Sequence, residues 1–323
     1  MFWRRKRGPA APPQIGCFGK LPATGDFIRL NAATDELGAF DRWLGGGVDF
    51  AKRALGQAWE GAYQNGIGLF VFRGDSKGED GPARGLVGAW AASGDSAGRQ
   101  YPMVVFASYD YGQLVSTGAA LPLALWPLLA AAYDVVTTGR TMPVDAFLER
   151  VSKIALPSLD DPEGAGAGYR GWLTTQSMKA LWETGFATDA TRFWVVQNLA
   201  DSVEPFRGQE LPKTGLAIRL PLGAGDAYAV AVWMDMTLRL AGWGRTLLNV
   251  FWTPQKTALI HPGPPHTASF RELIAPTGIS EHIAELCGVP TVDEDTARRR
   301  LGRYEPLVAN TELSLSTFLD GLV

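Results

Sequence analysis

Cysteine and histidine are nearly absent from this chain. Its 323 residues hold two cysteines, Cys17 and Cys287, and three histidines, His261, His266 and His282. Two distant cysteines exclude a disulfide framework and favour a reduced setting. Neither lies in a C-x-x-C pair, which argues against zinc. His261 and His266 flank a proline-rich turn, HPGPPH, with no further donors in view, so solvated imidazoles on a surface loop are the preferred reading. No P-loop, dinucleotide-type glycine turn or GxSxG elbow is present. Long apolar runs are missing too. The longest, Ala119 to Val136, is broken by Pro122 and Pro127 and contains Asp134. It falls short of the roughly 20 apolar residues of a spanning helix and reads as a buried helix. Nor is there an excess of basic charge. The net charge is −3, and Arg4, Arg5, Lys6 and Arg7 supply four positive charges, which leaves −7 on the remainder. A mildly acidic body argues against nucleic acid. No apolar stretch follows the basic N-terminus, so it does not read as a signal peptide. Residues 1–14 read as a disordered, basic and proline-rich tail. The alternative is weak electrostatic contact with an anionic membrane surface, which would make the chain a membrane-tethered adaptor.

What is present fits a soluble globular protein: 46% hydrophobic and 20% charged residues. The length favours two subdomains over one core. Eleven tryptophans need large shaped pockets or an interface. Trp43, Trp59, Trp90 and Trp194 sit on apolar faces and read as core. Trp3, Trp172, Trp243 and Trp252 lie near turns, where some would serve as interface anchors.

The most informative stretch is Gly16 to Leu44. Gly16, Gly19, Pro22 and Gly25 punctuate it, while Cys17, Phe18, Leu21, Phe27 and Ile28 remain apolar. It reads as an ordered loop pinned into a core. A helix is predicted from Asp35 to Leu44, with Thr34 as N-cap and Gly45–Gly47 as its end, and a second helix from Asp49 to Ala62. Strands at Gly68–Arg73, Leu86–Ala92 and Pro102–Tyr109 make an antiparallel meander, with a polar loop at 75–83 and a turn at Ser93–Gln100. A long helix, Leu121–Thr138, packs across it. The second half offers a helix at Val144–Ile154, a loop at Pro157–Gly171 and a helix at Thr175–Thr184. Strands follow at Arg192–Asn198 and Gly215–Leu222. Tyr228–Leu240 reads as helix, with Asp226 as a candidate cap. Leu247–Trp252 and Thr257–His261 form a hairpin around Pro254 and Gln255, before a short helix at Ser269–Ile274. From Gly278 on the pattern is helical, at Ser280–Cys287, Asp295–Arg303 and Ser314–Leu322. The fold class is α+β: an antiparallel or mixed sheet flanked by helices, in two subdomains (15–139 and 140–276) with a helical C-terminal extension (277–323).

Catalytic candidates are thin. Asp26, Asp95 and Arg99 form the one polar set worth weighing. Arg99 is suited to a bidentate pair with one of the two carboxylates, which would staple the opening segment to the Ser93–Gln100 turn. The same three residues would serve a small hydrolase if they lined an open pocket. A Ser93, Asp95 and His261 triple has no supporting motif.

Two blocks carry a resemblance. GCFGKLPATGDF, followed by Asp41, Trp43 and Leu44, is similar to the opening signature of the TagF (ImpM) family of type VI secretion accessory proteins. SGDSAGRQYPM, Ser93 to Met103, resembles a second family segment, and Phe251-Trp252-Thr253 a weaker third. Phe40 stands where the family often has Trp, and Met103 where it has Leu. The resemblance implies a cytoplasmic, non-enzymatic, post-translational regulator, a repressor of bacterial type VI secretion. It would need no cofactor or metal and would bind secretion components, such as the forkhead-associated scaffold protein. The implied partner-binding or structural signature is Phe18, Gly19, Lys20, Pro22, Gly25, Asp26, Phe27, Asp41, Trp43, Asp95, Gly98, Arg99, Tyr101 and Pro102.

Overall fold

The computed structural model describes residues 12–74, 83–185, 191–209, 211–223, 227–244, 246–253, 257–276, 280–288 and 290–323. The basic tail with Arg4 to Arg7, the polar loop from 75, Asp226 as a cap, the Pro254–Gln255 turn and Gly278 lie outside them.

One nine-stranded sheet organises the chain. Its strands are β1 (Gln14–Lys20), β2 (Phe27–Leu30), β3 (Ile67–Phe72), β4 (Arg84–Ala91), β5 (Met103–Asp110), β6 (Ala217–Pro221), β7 (Asn249–Thr253), β8 (Thr257–His261) and β9 (Ile283–Glu285). The order is β2-β1-β5-β4-β3-β7-β8-β6-β9. All pairings are antiparallel except β6 with β9. The two halves of the chain meet where β3 pairs with β7, Phe70 opposite Phe251.

Period-two alternation sends successive side chains to opposite faces, and helices cover both. On one face Phe18, Phe70, Phe72, Trp90, Phe106 and Phe251 pack under α1 (Asp35–Leu55), α2 (Trp59–Gln64) and α11 (Ala268–Ile274). On the other, Leu69, Val71, Val87, Val105, Val250 and Ile260 pack under a larger helical layer. That layer begins with α3 (Tyr111–Thr117), α4 (Leu121–Ala124), α5 (Trp126–Thr138), α6 (Val144–Ser152), α7 (Pro162–Thr175) and α8 (Met178–Gly185). It continues with α9 (Thr191–Val203), α10 (Ala227–Leu240), α12 (Glu294–Leu301), α13 (Glu305–Ala309) and α14 (Leu315–Asp320). Double-sided burial explains why β3 to β5 are almost wholly apolar. Among the described residues no single helix is long and apolar enough to cross a membrane. The apolar run 119–136 is broken between α4 and α5 at Leu125 and lies largely in the core.

Several sequence expectations are corrected. The opening segment is a β-hairpin: β1 pairs with β2, Phe18 opposite Arg29. Gly45–Gly47 do not end a helix. α1 runs through them to Leu55, because they let α11 come close: a Cβ on Gly47 would sit 2.6 Å from Phe270 Cβ, and one on Gly46 2.9 Å from Thr267 Cγ2. The second helix of the expected hairpin is therefore partly α1 and partly α2. Arg192–Asn198 belongs to α9, which is buried on nearly every side and so shows no helical polar face. The expected 157–171 loop holds the start of α7, where the Asp161 side chain accepts from the Gly164 N–H at 2.8 Å and Pro162 opens the helix. Ser280–Cys287 contains β9, anchored by Ala217 N–H to His282 O at 2.8 Å and Leu286 N–H to Arg219 O at 3.0 Å.

The α1–α11 approach gives a direct test. Gly47→Ala is expected to lower stability by about 1–3 kcal/mol through overpacking against Phe270, despite alanine's helix-propensity gain of ~1 kcal/mol. Gly61→Ala in α2, with open space around the added methyl, should be neutral or stabilising. Equal denaturation midpoints for the two variants would contradict the packing account.

Candidate functional site

The β1–β2 hairpin lies at one sheet edge, against β5. Its turn therefore meets the bend between β4 and β5. Gly19 is the contact point. Its φ is +141°, and a Cβ there would fall 2.2 Å from Pro102 O and 2.7 Å from Met103 Cα. Only glycine fits. Gly98, at φ +80°, shapes the bend itself.

Asp95 is the hub, with a side chain closed to solvent. Its Oδ1 accepts from the Ala97 and Arg99 N–H groups at 3.1 and 2.9 Å. Its Oδ2 accepts from Arg99 Nε at 2.7 Å and from Lys20 Nζ. Arg99 also donates through Nη2 to Gly25 O, so one guanidinium holds both segments. Ser93 Oγ donates to Lys20 O at 2.7 Å, and Ser96 N–H to Thr24 O at 2.9 Å. The Lys20 hydrogen bond, then those from Arg99, holds the Asp95 carboxyl far below the usual carboxylate range, against the opposing effect of burial.

An aromatic cluster sits beside this ionic staple. Phe18 and Phe27 stack at 5.2 Å between centroids, and Tyr101 meets them edge-on at 5.8 and 5.1 Å. Lys20 Nζ lies 4.8 Å from the Phe27 centroid and Arg29 Cζ 5.2 Å from that of Phe18, within cation–π range. The Tyr101 hydroxyl donates to Asp41 on α1. Burial first, and then Asp41, pushes that hydroxyl's pKa up, which keeps it a donor. Phe27 is 39% exposed, one of the few large apolar side chains at the surface.

The two signature blocks thus converge, and this geometry coincides with a family match. The model of the type VI secretion system-associated TagF N-terminal domain matches residues 16–154. Residues 16–154, less than half of the chain, thus match the N-terminal domain of the type VI secretion-associated TagF proteins. The matched range runs beyond residue 139 through α6. No curated protein matches the chain. Among solved structures, the crystal structure of PA0076 from Pseudomonas aeruginosa PAO1 is 21% identical, with a TM-score of 0.37. The likeness covers 45% of this chain and 64% of that one, and carries no argument about function.

Not every signature residue of the TagF domain enters the cluster. Trp43 points away, stacking on Phe251 at 4.4 Å and donating through Nε1 to His266 O at 3.1 Å. Asp26 is exposed on the hairpin turn, where its N–H donates to Thr24 Oγ1 at 3.3 Å. It does not pair with Arg99, which corrects the expectation that either carboxylate was suited. The turn curls back on Thr24 and turns Asp26 outward. Pro22 is exposed on the rim, while Pro102 is buried beneath Gly19. Cys17 is buried in β1, which pushes its thiol up to about 12, so it is no thiolate nucleophile.

Three features escaped the sequence. Tyr63 of α2 donates its hydroxyl to Ser93 O at 2.8 Å and accepts from Ser93 N–H at 3.2 Å, bracing the bend from beneath. A second buried charge cluster joins Arg219 of β6 to Glu272 of α11 and, at 3.0 Å, to Glu285 of β9. Its members lie too far apart in sequence for any spacing rule to link them. The expected surface histidine, His261, is fully buried in β8. His266 instead stacks on His282 at 3.9 Å. Among the described residues no group of three or more His, Cys, Asp or Glu side chains is placed to hold a metal.

Proposed function

We propose that this chain is a non-enzymatic, post-translational regulator that represses type VI secretion from the cytoplasm. It acts by docking its TagF domain on a secretion scaffold such as the forkhead-associated component. The observation that carries this reading is the state of Asp95. Both carboxylate oxygens are engaged and shut away from solvent, while Asp26 stands apart. A hydrolase would need an open carboxylate within reach of a substrate; the staple instead rigidifies a face. That face presents Phe27 beside Arg29 and the 64% exposed Arg99 side chain. An aromatic anchor flanked by arginines has the composition of an interface hot spot, and a stapled base removes ordering cost from binding.

The test is affinity capture of the full-length chain from its native bacterium, paired with a secretion assay. Wild type should recover a type VI component. Phe27→Asp should reduce that recovery at least tenfold, as expected of a hot-spot residue, and should raise secretion, in a protein whose thermal midpoint shows that it is still folded. Unchanged recovery by the variant would remove Phe27 from the interface. Capture of no secretion component by wild type would sink the reading as a whole.

A further inference from the structure

A pocket of about 440 Å³ opens beside the staple, between the bend and the α5–α6 connection. Its polar lining comes from Gln64, Gln100, Arg140 and Thr141, with Pro22 and Tyr63 completing the wall. Arg140 is half-buried. It donates through Nη1 to Ala92 O at 3.0 Å, and no carboxylate pairs with it among the described residues. A guanidinium held by one backbone carbonyl keeps most of its five donors unspent. Gln100 is pre-oriented in the same way: its Oε1 accepts from Trp59 Nε1 at 2.6 Å. That fixes the amide and leaves its NH₂ for the pocket. Gln64 and Thr141 add a further amide and a hydroxyl. The Tyr63 hydroxyl is already engaged with the Ser93 backbone, and the Ser93 hydroxyl with Lys20 O.

The local charge is one-sided. Lys20 and Arg99 share the single carboxylate of Asp95, and Arg140 adds a cation with no carboxylate partner among the described residues. Neither Asp26, exposed on the hairpin turn, nor any other carboxylate lines the pocket among the described residues. Fixed donors around an uncompensated guanidinium, in a concave site of ligand size, make a receptor for negative charge.

We propose that the Arg140 pocket binds a small oxyanionic group, a carboxylate or a phosphate. Arg140 supplies the fork, and Gln64, Gln100 and Thr141 supply neutral donors. This site is independent of the partner that the Phe27 face engages.

The experiment is a ¹H–¹⁵N titration of the full chain with inorganic phosphate and, separately, with succinate, against sodium chloride at matched ionic strength. The Arg140 Nε–H and Trp59 Nε1–H signals are followed. Saturable shifts with phosphate or succinate but not with chloride are expected, and the better titrant identifies the oxyanion. Arg140→Gln should abolish saturation, and Arg140→Lys should weaken it about fivefold or more, since the charge stays but the fork is lost. Gln64→Ala, at an exposed helix position, should weaken it about two- to fivefold without affecting the fold. Shifts that are linear, equal with chloride, or unchanged in both Arg140→Lys and Gln64→Ala would overturn the site.

Discussion

Lys20→Met is expected to lower the thermal midpoint by roughly 5–10 °C, more than any other single change at the TagF signature that keeps the backbone intact. Methionine keeps most of the stem's volume and removes the ammonium. The Asp95 carboxylate is then left with its Oδ2 bonded to Arg99 alone, whose side chain is largely in solvent. Stripping one partner from a buried pair leaves a charge that water cannot reach, and this costs more than the pair itself contributes. Arg99→Ala should cost only a degree or two, because an exposed partner is screened. A rescue distinguishes ion pairing from packing. Lys20→Met combined with Asp95→Asn should recover about half of the loss. Asparagine still offers an oxygen to the Ala97 and Arg99 N–H groups but carries no charge. A Lys20→Met protein within a degree of wild type, or a double variant less stable than the single one, would refute the staple.

The same pair sets an acid limb. The Asp95 carboxyl is held far below its ordinary value in the fold and titrates near 3.9 when unfolded. The unfolded state therefore binds the proton first as pH drops. The stabilisation is complete above about pH 4 and is lost as pH falls further. Lys20→Met should flatten this limb, which a pH series of denaturation midpoints below pH 4 reads directly.

The sequence made the signature's meeting legible, because the glycine and proline spacing of two blocks demanded close backbone contact. That Gly19 is the contact on Pro102, and that Asp95 bonds Lys20 as well as Arg99, came only with the structure. Three kinds of element were not legible. Glycines in α1 look like a stop signal until α11, more than two hundred residues later, is seen to need the space. The α9 segment lost its helical signature because the surrounding helices bury all sides of it. β9 is a strand because β6 and Arg219 hold it; of its three residues only Ile283 favours a strand. In each case a distant partner overrides local preference. The staple escapes this problem because its two segments lie on neighbouring strands, β1 and β5.

Between pH 6.5 and about 3, His261 should by itself contribute a stability loss of close to 1.4 kcal/mol per pH unit. The ring is fully enclosed in β8, edge-on to Phe251 at 5.8 Å. The Leu216 backbone approaches it, but neither nitrogen has a hydrogen-bond partner of normal geometry among the described residues. Burial, reinforced by the nearby His266, brings its pKa down to about 3. The sign follows from the two states. The fold keeps the ring neutral, while the unfolded chain takes a proton near pH 6.5. The unfolded state therefore gains as pH falls, and by pH 4.5 the loss is about 2–3 kcal/mol. His266, lowered by its own partial burial, adds a smaller effect of the same sign. His261→Leu removes two unsatisfied polar atoms from the core, so at pH 7 it should be at least as stable as wild type. It should also lose most of the slope between pH 6.5 and 4.5, a window in which Asp95 does not titrate. Chemical denaturation at half-unit pH steps, wild type against His261→Leu, separates the two groups. An identical slope in both proteins would place the titrating site elsewhere. A folded-state His261 ring titrating near pH 6.5 would mean that β8 opens to water beside β7.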